Sequence, residues 1–430
     1  MTALAWIKRE ISLVLPRGRF ARSVAVMAGG TALGQAITVL ISPILTRLYT
    51  PEDFGLLATY TAYVTILSVI ATGRYELIIP LIKSDHDAAN LVMLTLKICA
   101  VMGLLLLPIL VIVDNVIGIL GGQTLGPWVY LLPVSIFAMG VFNTLQFWLN
   151  RAGKYEHMSI IRIQNAAFTS ASSVFLGLRH IHGGLILGRL MGEIFASLWA
   201  WYQIRRKDSS VFTSTTWNNQ RKMLRKHLSL IKHVVPAHLI GTVGMQIPIL
   251  MISNVYSLEI AGFFSLAYRI VTLPSILIAN AIGDVYRQRA ARDFNLKGEF
   301  RDIYIKTLRA TTLLAFPLYF LLFLTSPDIF ALIFGKSWRV AGEYARILAI
   351  GAFFQFAFTP IDKGALIVGA TRYIFLWHLT RFFLLLGLFV CTILCNIPVE
   401  IVLYTLVIIN LTLYTIDGIM GFKFAKGGKF

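Results

Sequence analysis

The feature that most constrains this chain is a succession of twelve mainly apolar runs, most of them about 20 residues or longer. They fall at about residues 24–46, 54–76, 88–113, 127–149, 158–178, 182–204, 231–254, 261–283, 305–325, 342–365, 373–394 and 398–421. A hydrocarbon layer roughly 30 Å thick takes about 20 apolar residues in a helix, so each run is long enough to span one. Continuous Leu, Ile, Val and Phe, without short alternating segments and many turns, excludes a β-barrel. The chain is 57% hydrophobic and 14% charged. Soluble proteins are just under half apolar and roughly a quarter charged, so a soluble globular enzyme and a disordered chain are both excluded. Cys99, Cys391 and Cys395 lie within apolar runs; their odd number and spacing give neither a disulfide framework nor a zinc pattern.

Charge sets the orientation. Lys and Arg number 39 against 20 Asp and Glu, a formal net charge of +19. In a soluble chain that excess points to nucleic acid. Beside twelve apolar runs it points instead to the membrane surface and an anionic lipid substrate. With the N-terminus inside, about 25 basic residues fall on the cytoplasmic side, against only Arg47, Arg179, Lys336 and Arg339 outside. The expected fold is an all-α membrane protein of twelve transmembrane helices with both termini cytoplasmic. The first run follows Lys8, Arg9, Arg17, Arg19 and Arg22 and is too long for a cleaved signal peptide, so it reads as an anchor that stays. Before it, Trp6, Ile7, Ile11 and Leu15 fit either a short interfacial helix or a disordered tail.

The chain also repeats itself. Tyr49-Thr50-Pro51-Glu52-Asp53-Phe54-Gly55 and Tyr256-Ser257-Leu258-Glu259-Ile260-Ala261-Gly262 align at a constant offset of 207 residues. Thr50 and Ser257 are each suited to cap the helix that follows, which explains the local chemistry but not its recurrence. The recurrence divides the chain into a cytoplasmic segment 1–23, an N-lobe 24–204, a basic cytoplasmic linker 205–230, a C-lobe 231–422 and a tail 423–430. Six helices per lobe is an even number, so the two lobes are expected as parallel repeats about a pseudo-two-fold axis along the membrane normal. Two such bundles with a cleft between them suit an alternating-access carrier.

The residues around these features resemble a known family. The stretch Arg-Phe-Ala-Arg-Ser-Val-Ala-Val-Met-Ala-Gly-Gly-Thr at 19–31 leads to Pro43-Ile44-Leu45-Thr46-Arg47-Leu48 and the Tyr49–Gly55 motif. Gly73-Arg74-Tyr75-Glu76-Leu77 and Asp-His-Asp-Ala-Ala-Asn at 85–90 follow. Together they resemble the polysaccharide or O-antigen flippases, lipopolysaccharide biosynthesis proteins of the multidrug/oligosaccharidyl-lipid/polysaccharide exporter superfamily. Beyond about residue 100 the likeness is one of architecture and length. The resemblance implies translocation of an undecaprenyl-diphosphate-linked oligosaccharide across the bacterial inner membrane, through a cationic cavity between the lobes. A polysaccharide polymerase and a chain-length regulator are candidate partners.

A lipid-linked sugar diphosphate needs a polar groove with cations for its phosphates, and guanidinium groups suit phosphate through paired hydrogen bonds. Polar residues recur at helical spacing: Thr31, Gln35, Thr38 and Ser42; Thr61, Thr65, Ser68 and Thr72; His238, Thr242 and Gln246; Ser265, Arg269 and Thr272; Gln355, Thr359 and Asp362. One stripe alone is explained by packing or by bonds back to the helix, whereas stripes recurring on helices one, two, seven and eight suggest a shared cleft. Charges within the runs are functional candidates by default. Arg269, Arg381, Arg189, Gln35, Thr38 and Gln246 are the candidate substrate-binding residues. Arg74, Glu76 and Glu193 are candidates for gating, with structural pairing of Arg74 with Glu76 and of Arg189 with Glu193 as the alternative. Gly184, Gly188 and Gly192 form a close-packing seam on helix six.

Gly335-Lys336-Ser337 ends like a phosphate-binding loop, but Phe330 stands where its first glycine belongs. With no nucleotide site expected and no metal or other cofactor, transport would draw on an ion gradient, the membrane potential or product consumption. Asp85-His86-Asp87 suits a cap on helix three with Ser84, and His180 and His182 lack further ligands for a metal. Two alternatives stay open. A drug or cation antiporter of the same superfamily would want membrane-embedded carboxylates, of which Glu193 is the main one. A membrane polysaccharide polymerase would want a large outer loop.

Overall fold

The computed structural model describes residues 19–117 and 122–428. The expected N-terminal segment up to residue 18 lies outside them. Among the described residues there is no strand, and twelve long helices coincide with the twelve apolar runs. The N-terminal six are α1 (Arg19–Leu48), α2 (Pro51–Thr72), α3 (Asp85–Ile117), α4 (Leu132–Arg151), α5 (Tyr155–Leu178) and α6 (Gly184–Thr213). The others are α7 (Trp217–Val255), α8 (Leu258–Lys297, with a π turn at Ser275–Ala279), α9 (Arg301–Phe334), α10 (Arg339–Phe358), α11 (Thr371–Cys395) and α12 (Val399–Ala425).

Nine helical segments among the described residues are long and apolar enough to cross a membrane. The remaining three, α5, α6 and α10, have 24, 30 and 20 residues, enough to span at about 1.5 Å per residue. They are less apolar because they carry Arg162, then Arg189 and Glu193, then Glu343 and Arg346. The chain is a multi-pass membrane protein.

The repeated motif starts α2 and α8 in the same way. The Thr50 hydroxyl accepts from the Asp53 amide at 3.3 Å, and the Ser257 hydroxyl accepts from the Ile260 amide at 3.1 Å. Asp53 completes a capping box on Thr50. The preceding tyrosines each tie a further helix in place: Tyr49 donates to Ser173 O on α5, and Tyr256 donates to Ile397 O just past α11. The two glycines of the motif then meet. A methyl group on Gly55 would overlap the Leu258 carbonyl, and one on Gly262 would overlap the Pro51 carbonyl. Pro51 with Leu258, and Gly55 with Gly262, are the pairs related by the offset of 207 residues. Reciprocal contact of this kind is the mark of a two-fold operator, so the pseudo-axis passes between these helix starts.

The lobes share a core at that end only. Leu45, Tyr49, Phe54 and Leu185 of the N-lobe pack in one cluster with Met251, Phe263, Phe334 and Trp338. Trp338 is fully buried there; its indole N–H donates to Thr46 O at 3.2 Å, and its ring meets Phe54 and Phe263 edge-on. At the other end, which carries most of the basic residues, the cores are separate. One contains Tyr75, Leu91, Trp148 and Phe212; the other contains Tyr286, Phe300, Tyr304 and Phe424. The lobes are thus joined at one end and packed separately at the basic end.

The expected linker is not a loop. Residues 205–230 are helical except at 214–216, so α6 and α7 run through it. With 39 residues α7 is about twice as long as the hydrocarbon layer is thick. Its first turns belong to the N-lobe: Met223 and Ile231 sit in that lobe's core. Lys97 of α3 donates to Gln220 at 2.9 Å, and Asn90 accepts from the Thr216 amide at 3.1 Å. Its last turns, with Ile247, Met251 and Ile252, sit in the shared core. The passage from one lobe to the other therefore runs along a helix, past Pro236 and Pro248.

Candidate functional site

The charged centre of the expected cleft is built from α2, α6 and α8. Glycines let α6 sit close on α5: a methyl on Gly188 would overlap the Ser173 hydroxyl, and one on Gly192 the Thr169 hydroxyl. This is the seam expected from the spacing, and it places Arg189 and Glu193 on the inner side of α6. Arg189 donates through Nε to Glu193 at 3.0 Å and through a terminal nitrogen to the Thr61 hydroxyl of α2, also at 3.0 Å. Glu193 is 7% exposed. The ion pair anticipated between them is thus formed, with α2 as a third participant.

Arg269 completes the centre from the other lobe. It lies on α8 near enough to Arg189 for the two positive charges to repel. Among the described residues its side chain makes no hydrogen bond and no ion pair. A guanidinium without a counter-charge at membrane depth is costly, and its five donors suit a phosphate. Arg189 is satisfied by the protein, whereas the Arg269 guanidinium meets no partner among the described residues.

The remaining candidates scatter. Thr38 donates to Gly34 O of its own helix at 3.1 Å, and Ser42, Thr65, Ser68, Thr72, Ser265 and Thr272 do likewise in theirs. Those hydroxyls are spoken for, as the packing explanation of the stripes requires. Gln35 and Gln246 are half-buried and make no hydrogen bond to a described residue. Arg381 is not grouped with Arg189 and Arg269; it lines a separate cavity within the C-lobe.

Arg74 and Glu76 pair with each other at 3.3 Å just past the end of α2. Glu76 is completely buried and also accepts from the Thr72 hydroxyl. His238 of α7 is within electrostatic range of Arg74. Ser84 caps α3 through the Asp87 amide, and Asp85 pairs with Arg151, so the Asp85-His86-Asp87 group is occupied structurally.

One cation escaped the spacing argument. Arg162, two turns into α5, donates to the Thr31 hydroxyl of α1 at 2.8 Å. Its place near a helix end suggests a snorkelling side chain, but it is half-buried and reaches across to α1. An arginine inside an expected span was the available signal.

Comparison with known proteins agrees with this architecture. Residues 44–343 match the family model described as polysaccharide biosynthesis protein. The teichuronic acid biosynthesis protein TuaB of Bacillus subtilis (strain 168) is 25% identical over 141 residues, covering 33% of this chain and 29% of that protein. Among solved structures, the lipid II flippase MurJ in an inward closed conformation superposes with a TM-score of 0.68 at 13% identity, over 92% of this chain and 86% of that one. An inward-facing multidrug resistance MATE family transporter of the MOP superfamily gives 0.58 at 15% identity, over 96% of each chain. At these identities the two structures speak for the fold alone: two lobes of six helices. The match over residues 44–343 does more, and by it the chain belongs to the polysaccharide biosynthesis protein family.

Proposed function

We propose that this protein is a flippase that moves an undecaprenyl-diphosphate-linked oligosaccharide from the cytoplasmic to the periplasmic leaflet of the bacterial inner membrane, for O-antigen or another surface polysaccharide. The observation that carries the reading is Arg269, a guanidinium without a partner among the described residues, between lobes that share a core only at the end away from the basic loops. The positive-inside rule makes the basic end cytoplasmic. The cleft then faces the leaflet where the substrate is assembled, and both termini are cytoplasmic.

The diphosphate is received by Arg269, with Arg189 adding positive potential from the facing lobe. Gln35 and Gln246, whose side chains make no hydrogen bond to a described residue, offer amide groups to sugar hydroxyls. The lipid tail stays in the bilayer beside the cleft. Rocking of the lobes closes the cytoplasmic mouth, near Arg74 and Glu76, and opens the end sealed by Gly55, Gly262 and Trp338. An inside-negative potential favours outward movement of an anion by about 2.3 kcal/mol per charge per 100 mV, so the membrane potential is a sufficient driving force for a diphosphate. The protein acts as a transporter and breaks no covalent bond.

The test is binding to the purified full-length protein in nanodiscs, with farnesyl diphosphate, farnesol and tetraphenylphosphonium as probes. The diphosphate should bind more tightly than the alcohol, and Arg269→Gln should weaken it roughly 10- to 100-fold, the worth of a charged hydrogen bond. Equal binding of diphosphate and alcohol, or a preference for the lipophilic cation, would overturn the reading and bring the antiporter forward.

A further inference from the structure

We propose that the C-lobe holds a small monovalent anion on Arg381, in a site distinct from the transport cleft. Arg381 stands midway along α11 and lines a cavity of about 30 Å³. α8, α10 and α12 enclose it with Arg381, and no residue of the N-lobe takes part. The Nε of Arg381 is buried without a hydrogen-bond partner among the described residues. Its guanidinium lies over the Trp377 ring at 5.7 Å, which covers one face and leaves the N–H edge free.

Five other polar side chains line the cavity: Tyr268, Thr272, Gln355, Asn410 and Tyr414. The Thr272 hydroxyl donates to Tyr268 O at 2.7 Å, and the other four make no side-chain hydrogen bond to a described residue. Arg381 and these four therefore surround one small space without bonding to one another. All five can donate: a guanidinium, two carboxamides and two phenols. No carboxylate lines the space. Elsewhere in the lobe Asp417 accepts from the Tyr373 hydroxyl at 2.9 Å, and Asp362 pairs with Lys363 at 3.4 Å.

The physical argument is charge balance. An arginine inside a bilayer costs several kcal/mol unless a counter-charge or water meets it. Water hydrates the guanidinium but leaves its charge uncompensated; an anion compensates it. The cavity exceeds the roughly 10–15 Å³ that a single water needs. A halide-sized ion fits that space, and a sugar diphosphate does not. The bound anion joins α8, α10, α11 and α12 through one set of donors.

The experiment is thermal unfolding of the full-length protein in nanodiscs at constant ionic strength, in sodium chloride, sodium bromide or sodium gluconate. Chloride and bromide should raise the midpoint by a few degrees in a saturable manner, and gluconate should not. Arg381→Gln and, independently, Asn410→Leu should abolish that dependence. Should Arg381→Gln fail to fold, Asn410→Leu and the anomalous scattering of bromide from crystals of the wild-type protein still decide the matter, with a peak expected beside Arg381. Equal midpoints in the three salts would mean water only and would overturn the proposal. So would a halide dependence that persists in both variants, or bromide found only elsewhere. None of these results depends on which molecule the cleft transports.

Discussion

Arg269→Ala is expected to abolish surface polysaccharide while the protein still reaches the membrane in normal amount. Arg269 has no internal partner, so its removal strands no buried acid and leaves the fold intact. The lost interaction is the one with the diphosphate, and each charge-assisted hydrogen bond is worth about 1.5–3 kcal/mol. Arg269→Lys keeps the charge but loses the planar fork, so intermediate transport follows. Arg189→Ala provides the contrast: it leaves Glu193 buried without its cation, a loss of about 3–5 kcal/mol, and should lower the amount of folded protein. Surface glycan measured on gels beside immunoblots of the membrane fraction separates the two outcomes. Wild-type glycan from Arg269→Ala at normal expression would remove this residue from the transport role.

Gly262→Val should break the seal at the end opposite the basic loops. The new side chain would occupy the space of the Pro51 carbonyl, and backbone cannot swing aside as a side chain can. Overpacking costs about 1–3 kcal/mol or more, comparable with the few kcal/mol that separate the states of a two-state carrier. The reciprocal change Gly55→Val meets Leu258 and should act alike. In a background where the three cysteines are replaced, Thr46→Cys reports on the seal, because Thr46 is buried beside Trp338. Its labelling by a membrane-impermeant thiol reagent should rise about tenfold with Gly262→Val, in step with a shift of about 1.4 kcal/mol, and transport should be lost. Unchanged labelling with normal transport would show that the two glycines do not form the seal.

The helices and the repeat were legible because they rest on local chemistry. Apolar runs of spanning length have one stable form in a bilayer, and Thr50 and Ser257 cap by bonds to residues three positions on. The offset of 207 residues revealed the repeat, but not that the two motifs' backbones touch. Residues 205–230 misled because charged composition marks exposure to water and does not distinguish a loop from a solvated helix. The polar stripes misled differently. Spacing places Thr38 and Thr65 on a face, but a hydroxyl's partner is chosen by the nearest free carbonyl, here in the same helix. Arg162, Arg381 and Trp338 depend on contacts between distant helices, which spacing along one helix does not encode. The same distance hid the contrast between Arg189, satisfied by Thr61 and Glu193, and Arg269, satisfied by nothing.

The central claim is the movement of a lipid-linked glycan, and cells lacking this protein, with glycan assembly otherwise intact and redundant flippases removed, test it most directly. Undecaprenyl-linked oligosaccharides would be extracted and assigned to a membrane face by their accessibility to an impermeant glycan-modifying enzyme. Accumulation on the cytoplasmic face, relieved by the wild-type protein and not by Arg269→Ala, is the predicted result, and the mass of the accumulated species would identify the glycan. Normal movement to the periplasmic face in the absence of the protein would contradict the account.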